Sequence, residues 1–315
     1  MTPSALGARA VLALVWLLHW LPLPLLAALG VGLGRLLHAL AGSRRRIALR
    51  NLELCQPGRP LAERQAIVRR HFEWLGRTFL ERGLLWYAGT DRLKRLIHVE
   101  GDIGYGDRHP QQAVMWLVPH FIGMDVAGTA SQLFQARKVA TIYQSQSNPV
   151  FDRAIRQGRL RFGQGDVFSR HDSALPLVRA IKRGYIFFNL PDMDFGLRDA
   201  AFVPFFGVPA STLLAPSRMA RSLRMAVQPV VTEILPGGRG YRVRFGEPWT
   251  DWPSDNPEAD ARRMNAWIEA EIERCPDQYL WVHKRFKTRP PGVPSVYGEL
   301  RGDAVGEAAI EDPAP

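Results

Sequence analysis

Cysteine is scarce in this chain: Cys55 and Cys275 are its only two, and they form no C-x-x-C pair. A disulfide scaffold and a cysteine-built metal centre are thereby excluded, and the usage fits a reducing compartment. There is no Gly-x-Ser-x-Gly, so the strained strand-to-helix turn that exposes a serine nucleophile is missing. The glycine-rich stretch Gly101–Gly106 is not followed by Gly-Lys-Ser/Thr, which rules out a phosphate-binding P-loop. Acidic residues are in short supply, 30 against 41 basic ones, and the net charge is +11. Such an excess points to an anionic partner. Zinc-finger spacing, an RNP pattern and a basic-region zipper are all lacking, so nucleic acid is not expected. An anionic lipid surface remains.

What is present at the amino end supports that surface. Residues 10–34 carry a single ionisable side chain, His19. The run is long enough to cross a hydrocarbon core of about 30 Å. Pro22 and Pro24 interrupt it, so a kinked span and a re-entrant hairpin are both open. Arg9 precedes the run, whereas Arg35, Arg44, Arg45, Arg46 and Arg50 follow it. The positive-inside rule then places the rest of the chain on the cytoplasmic side. Residues 1–50 are expected to form a membrane anchor with a basic flank, each surface arginine adding about 1 kcal/mol on anionic lipid.

Residues 51–295 read as one α/β catalytic domain. Leu61–Tyr87 has the apolar stripe of one or two amphipathic helices. Ala113–Val118 is a buried strand closed by Pro119, which cannot continue a ladder. His120 follows at once and Asp125 five residues later. On one continuous helix these two would point about 140° apart. They meet only if His120 lies in the turn and Asp125 in the first turn of the next helix. The carboxylate would then hold one imidazole nitrogen and leave the other as a general base.

Beyond this segment the spacing predicts a strand at Val139–Tyr143, then helices at Phe151–Phe162 and Leu175–Lys182. A second buried strand, Tyr185–Asn189, again ends in proline and acid: Leu190-Pro191-Asp192-Met193-Asp194. Two polar loops thus fall on what would be one sheet edge, where open α/β sheets place their chemistry. Phe202–Thr212 reads as an apolar, proline-broken loop. Met225–Ile234 and Tyr241–Phe245 read as a hairpin, and Asp260–Arg274 as a helix. Residues 296–315 are expected to form a flexible tail. His120, Asp125, Asp192 and Asp194 would also suit a divalent ion, but no second histidine clusters with them and no metal is expected.

Taken in order, these pieces resemble the late acyltransferases of lipid A biosynthesis, the lauroyl/myristoyl transferase family of Gram-negative bacteria. The resemblance covers residues 10–295. It rests on the anchor, on His120-x-x-x-x-Asp125, on Asn148-Pro149 with Gly158-Arg-Leu-Arg161, on Pro191–Gly196, on Val203–Gly207 and on Gln278–Arg289. Many members carry Glu at the second position of the first motif, so Asp125 is an allowed variant. The resemblance implies an αβα acyltransferase fold with a mixed central sheet behind the N-terminal anchor. It also implies an inner-membrane enzyme on the cytoplasmic face. The implied donor is an acyl carrier protein thioester, with no other cofactor, and the implied acceptor is a Kdo-bearing lipid A precursor. His120 and Asp125 would act as the base, and Arg159 would be the oxyanion donor with Arg161 as its neighbour. Asp192 and Asp194 would position Arg159 or the substrate, or cap their turn. Lys284, Arg285, Lys287 and Arg289 would bind phosphates or carboxylates of the acceptor.

Overall fold

The strand Val114–Leu117 buries all four of its side chains, which is possible only if layers cover both faces of its sheet. The computed structural model, which describes residues 3–169 and 173–298, provides those layers. Seven strands form the sheet: β1 (Ile97–Gly101), β2 (Val114–Leu117), β3 (Val139–Tyr143), β4 (Gly165–Ser169), β5 (Ile186–Asn189), β8 (Ala226–Ile234) and β9 (Tyr241–Phe245). Between β5 and β8 the chain makes a separate hairpin of β6 (Ala200–Phe205) and β7 (Val208–Leu213). The sheet order is β1-β9-β8-β2-β5-β3-β4. Its neighbours are parallel except β8 and β9, which form the antiparallel hairpin expected from the sequence.

Five helices precede β1: α1 (Pro3–Leu18), α2 (Leu23–Leu40), α3 (Gly42–Cys55), α4 (Leu61–Tyr87) and α5 (Thr90–Leu96). The short α6 (Tyr105–Arg108), then α7 (Met124–Phe134), α8 (Pro149–Arg159), α9 (Leu175–Lys182), α10 (Ala215–Ser222) and α11 (Pro257–Arg274) complete the set. Alternation along β2 divides the core. Val114 and Trp116 pack with Leu84, Leu85, Leu93 and Val126 of α4, α5 and α7. Met115 and Leu117 pack with Ile47, Leu177 and Ile268 of α3, α9 and α11. The result is the αβα arrangement with a mixed central sheet.

The apolar amino end is not one continuous helix. It breaks between α1 and α2, where Pro22 precedes α2 and Pro24 occupies its first turn. Among the described residues α2 is the one helix long and apolar enough to cross a membrane. It lies on α4 with backbones nearly touching. A Cβ added at Gly34 would stand 2.2 Å from the Phe72 carbonyl oxygen, and one at Gly76 would stand 2.2 Å from that of Gly30. Small residues one turn apart permit this approach. The opposite faces leave Leu14, Trp16 and Leu17 of α1 and Leu25, Leu29 and Leu36 of α2 exposed.

Two further expectations need correction. Residues 202–212 are not a loop but most of the β6–β7 hairpin. Pro204 stands opposite Pro209 across it, which a two-stranded ribbon tolerates because each strand is also an edge. Phe206 and Gly207 turn the corner at φ 49° and 77°. Nor does the tail begin at 296. Tyr297 is buried, and its hydroxyl donates to Asn51 Oδ1 at 2.6 Å and accepts the Phe286 N–H at 3.0 Å. The remainder of the expected tail, 299–315, lies outside the described residues.

One buried group on α4 makes stability depend on pH. His71 is fully buried, its Nδ1–H donates to the Asp277 carbonyl at 3.1 Å, and its Nε2 has no partner among the described residues. Burial lowers its pKa from 6.5 to about 4. The unfolded chain therefore takes up the proton first. The contribution is complete above pH 6.5 and is lost as the pH falls towards 4, on the order of 3 kcal/mol in all. His71→Asn keeps a donor without titrating. It is expected to flatten the slope of the urea midpoint between pH 7 and pH 5 relative to wild type.

Candidate active site

The site grows out of the register of two parallel strands. Leu117 of β2 pairs with Asn189 of β5, and the Val118 N–H continues the ladder to the Asn189 carbonyl at 2.9 Å. Each strand then ends in the same way, Val118-Pro119-His120 and Leu190-Pro191-Asp192. His120 and Asp192 each stand three residues beyond the paired position, so they emerge side by side at the carboxyl edge. His120 Nδ1 lies 2.6 Å from Asp192 Oδ1, and the His120 N–H donates to Oδ2 at 2.9 Å. The carboxylate is almost fully buried, and its charge adds to burial in raising the pKa of Tyr279. Burial pushes the Asp192 carboxyl up, but His120 and Arg285 pull it further down, to a net position below the usual range. An ionised Asp192 requires the proton on Nδ1 and leaves Nε2 as the basic nitrogen.

Asp125 is therefore not the partner of the imidazole. It sits in the first turn of α7, as expected, but its carboxylate is turned towards α4 and α8. Oδ1 accepts from Arg159 Nε at 3.1 Å and Nη2 at 2.9 Å, and Oδ2 accepts from Arg82 Nη2 at 3.0 Å. Burial raises the Asp125 pKa, and the two guanidinium groups more than reverse this. The structure thus makes two pairs where the sequence suggested one: His120 with Asp192, and Asp125 with Arg159.

The other expected residues divide by what they touch. Arg161 donates to the carbonyls of Leu85 and Ala88, at 2.9 and 2.6 Å, and so caps the end of α4 rather than facing substrate. Asp194 accepts from the Thr288 N–H and hydroxyl, both at 2.7 Å, and from the Gly196 N–H at 3.0 Å. It ties its loop to the basic segment after β9. Arg285 is buried and donates to the Ser211 carbonyl at 2.7 Å and Thr212 Oγ1 at 3.0 Å, which makes it part of the scaffold and not a surface cation. Arg289 donates to the Pro209 carbonyl. Lys287 is exposed and Lys284 half-buried.

Three residues at the site carry no sequence signal of their own. Arg82 lies in the amphipathic pattern of α4, indistinguishable there from a solvated arginine. Tyr279 belongs to a run rich in aromatics. His283 accepts the Asp194 N–H on Nε2 at 3.3 Å, and burial, reinforced by His120 and Arg285, lowers its pKa to about 4. A small cavity of about 70 Å³ adjoins the second pair, with Asp125, Arg159, Leu85, Trp86, Phe188 and Leu190 in its wall. Among the described residues no three His, Cys, Asp or Glu side chains converge as a metal site.

Comparison with known proteins identifies the family. The family model for bacterial lipid A biosynthesis acyltransferases matches residues 1–288. The chain is 34% identical over 288 residues to the lipid A biosynthesis lauroyltransferase of Escherichia coli (strain K12), covering 91% of this chain and 93% of that one. It is 31% identical to the palmitoleoyltransferase of the same organism, over 91% of this chain and 92% of the relative. Its identity to the myristoyltransferase is 34%, over 85% and 82% respectively. The chain belongs to the bacterial lipid A biosynthesis acyltransferase family and is an acyltransferase.

Proposed function

We propose that the protein transfers a fatty acyl chain of the lauroyl or myristoyl class from acyl carrier protein to a hydroxyacyl chain of a Kdo-bearing lipid A precursor. The observation that carries the mechanism is the 2.6 Å contact between His120 Nδ1 and Asp192 Oδ1, which leaves Nε2 basic at the end of β2. The acceptor hydroxyl gives its proton to Nε2 as its oxygen attacks the thioester carbonyl carbon. The tetrahedral intermediate collapses with cleavage of the C–S bond, and the imidazolium returns the proton to the departing thiolate. Without a serine elbow the attack is direct, with no acyl-enzyme. Arg159, oriented by Asp125, is the donor for the oxyanion. Lys284 and Lys287 are the cations that meet acceptor phosphates or carboxylates. The exposed apolar faces of α1 and α2, with Arg44, Arg45 and Arg46 beside them, rest in the cytoplasmic leaflet of the inner membrane.

The test is an assay in membranes with lauroyl- and myristoyl-acyl carrier protein and the Kdo-bearing precursor, with products read by mass spectrometry. One added acyl chain on the precursor is the expected result. No acylated precursor with either donor would overturn the substrate assignment and turn attention to other glycolipid acceptors.

A further inference from the structure

A second apolar pocket lies outside the small cavity. It is a groove of about 270 Å³ between α1, α4 and α8, walled by Val11, Leu12, Val15, Phe79, Phe151 and Ile155. Three features distinguish it from an ordinary packing defect. Trp86 lines both the groove and the small cavity, so one indole partitions the two. Arg82 also lines the groove, and it holds Asp125, which lines the cavity. The wall formed by α1 belongs to a helix whose outer face exposes Leu6, Leu14, Trp16 and Leu17. The groove therefore lies between the apolar helix α1 and the Arg82–Asp125–Arg159 cluster.

We propose that this groove holds an acyl chain of the acceptor glycolipid. The assignment rests on the acyl-transfer reading above. Transfer of one chain onto a molecule that already bears chains needs two apolar sites that converge on one reacting carbonyl. The donor chain arrives on a soluble carrier, whereas the acceptor lives in the bilayer. The site walled by α1, the helix that carries an exposed apolar face, therefore suits the acceptor. Gln146 and Ser147 at the groove's edge supply polar groups where the chain meets its headgroup.

The experiment uses the full-length protein in vesicles with two diazirine-tagged probes, a tagged Kdo-bearing lipid A precursor and a tagged phosphatidylethanolamine. Labelled peptides are identified after irradiation, and acyl transfer to untagged precursor is measured in the same preparation. The expected result is precursor labelling at Phe79, Phe151 and Ile155, competed by untagged precursor and at least tenfold stronger than phosphatidylethanolamine labelling. Leu12→Trp and Ile155→Trp, which fill the groove, are expected to raise the acceptor KM tenfold or more with the donor KM unchanged. Active protein labelled elsewhere, or labelled equally by both lipids, would overturn the groove assignment and leave the acyl-transfer reading intact. Absence of both transfer and labelling would remove the two together.

Discussion

Replacement of His120 by alanine is expected to lower kcat by about 10²–10⁴-fold, the range that a positioned general base supplies. Asp192→Asn should approach the same loss. An amide in place of the carboxylate neither fixes the proton on Nδ1 nor stabilises the imidazolium that forms during transfer. Asp125→Asn acts differently. It loosens Arg159 and Arg82 without touching the imidazole, so the rate should fall while the pH profile of the base persists. Steady-state kinetics of the three variants across pH separates these roles. If Asp125→Asn erased the titration of the base and Asp192→Asn preserved it, the assignment of His120 to Asp192 would be wrong.

The largest loss of stability is expected at Glu81. Its carboxylate accepts from Arg77 Nε at 2.5 Å and from the Tyr241 hydroxyl at 2.7 Å, and all three groups are buried. Arg77 also donates to the Leu235 carbonyl at 2.8 Å and lies 5.0 Å from the Trp74 ring centroid. The network fastens α4 to the β8–β9 hairpin. Glu81→Ala leaves a guanidinium inside the protein without its counter-charge, at a cost of about 3–5 kcal/mol. The double variant Arg77→Leu with Glu81→Leu removes both charges and should recover most of that loss. Urea unfolding in detergent micelles measures both. A single variant as stable as the double would show that the ion pair is not what matters at this contact.

Much of the site was legible because its signals are local. A short apolar run, a proline and then a polar residue is a one-dimensional pattern, and it occurs at both Val118-Pro119-His120 and Leu190-Pro191-Asp192. The sequence pattern places both loops on one edge. It does not show that β2 and β5 are neighbours in register, and that register, not the five-residue spacing, chooses the partner of His120. Asp125 was drawn to His120 by proximity in the chain, whereas α7 turns its carboxylate to arginines contributed by α4 and α8. Arg285 misleads for a related reason: a basic stretch reads as surface, yet the carbonyl of Ser211 and the hydroxyl of Thr212 take this cation inside. Pro204 and Pro209 hid a hairpin because proline argues against strands in general, and two-stranded ribbons are the exception.

The glycine contact between α2 and α4 sets a dimension as well as a fold. Helices whose backbones meet at Gly30, Gly34 and Gly76 cannot swing apart like a buoy on a rope. On α4, Gly76 and Arg82 are six residues apart, or about 9 Å along the axis. The Arg82–Asp125–Arg159 cluster therefore rides at a fixed height from the apolar helices. Under the proposed function, the acceptor's reacting hydroxyl is therefore expected to be met at that height, with no slack between the apolar helices and α4 to make up the difference.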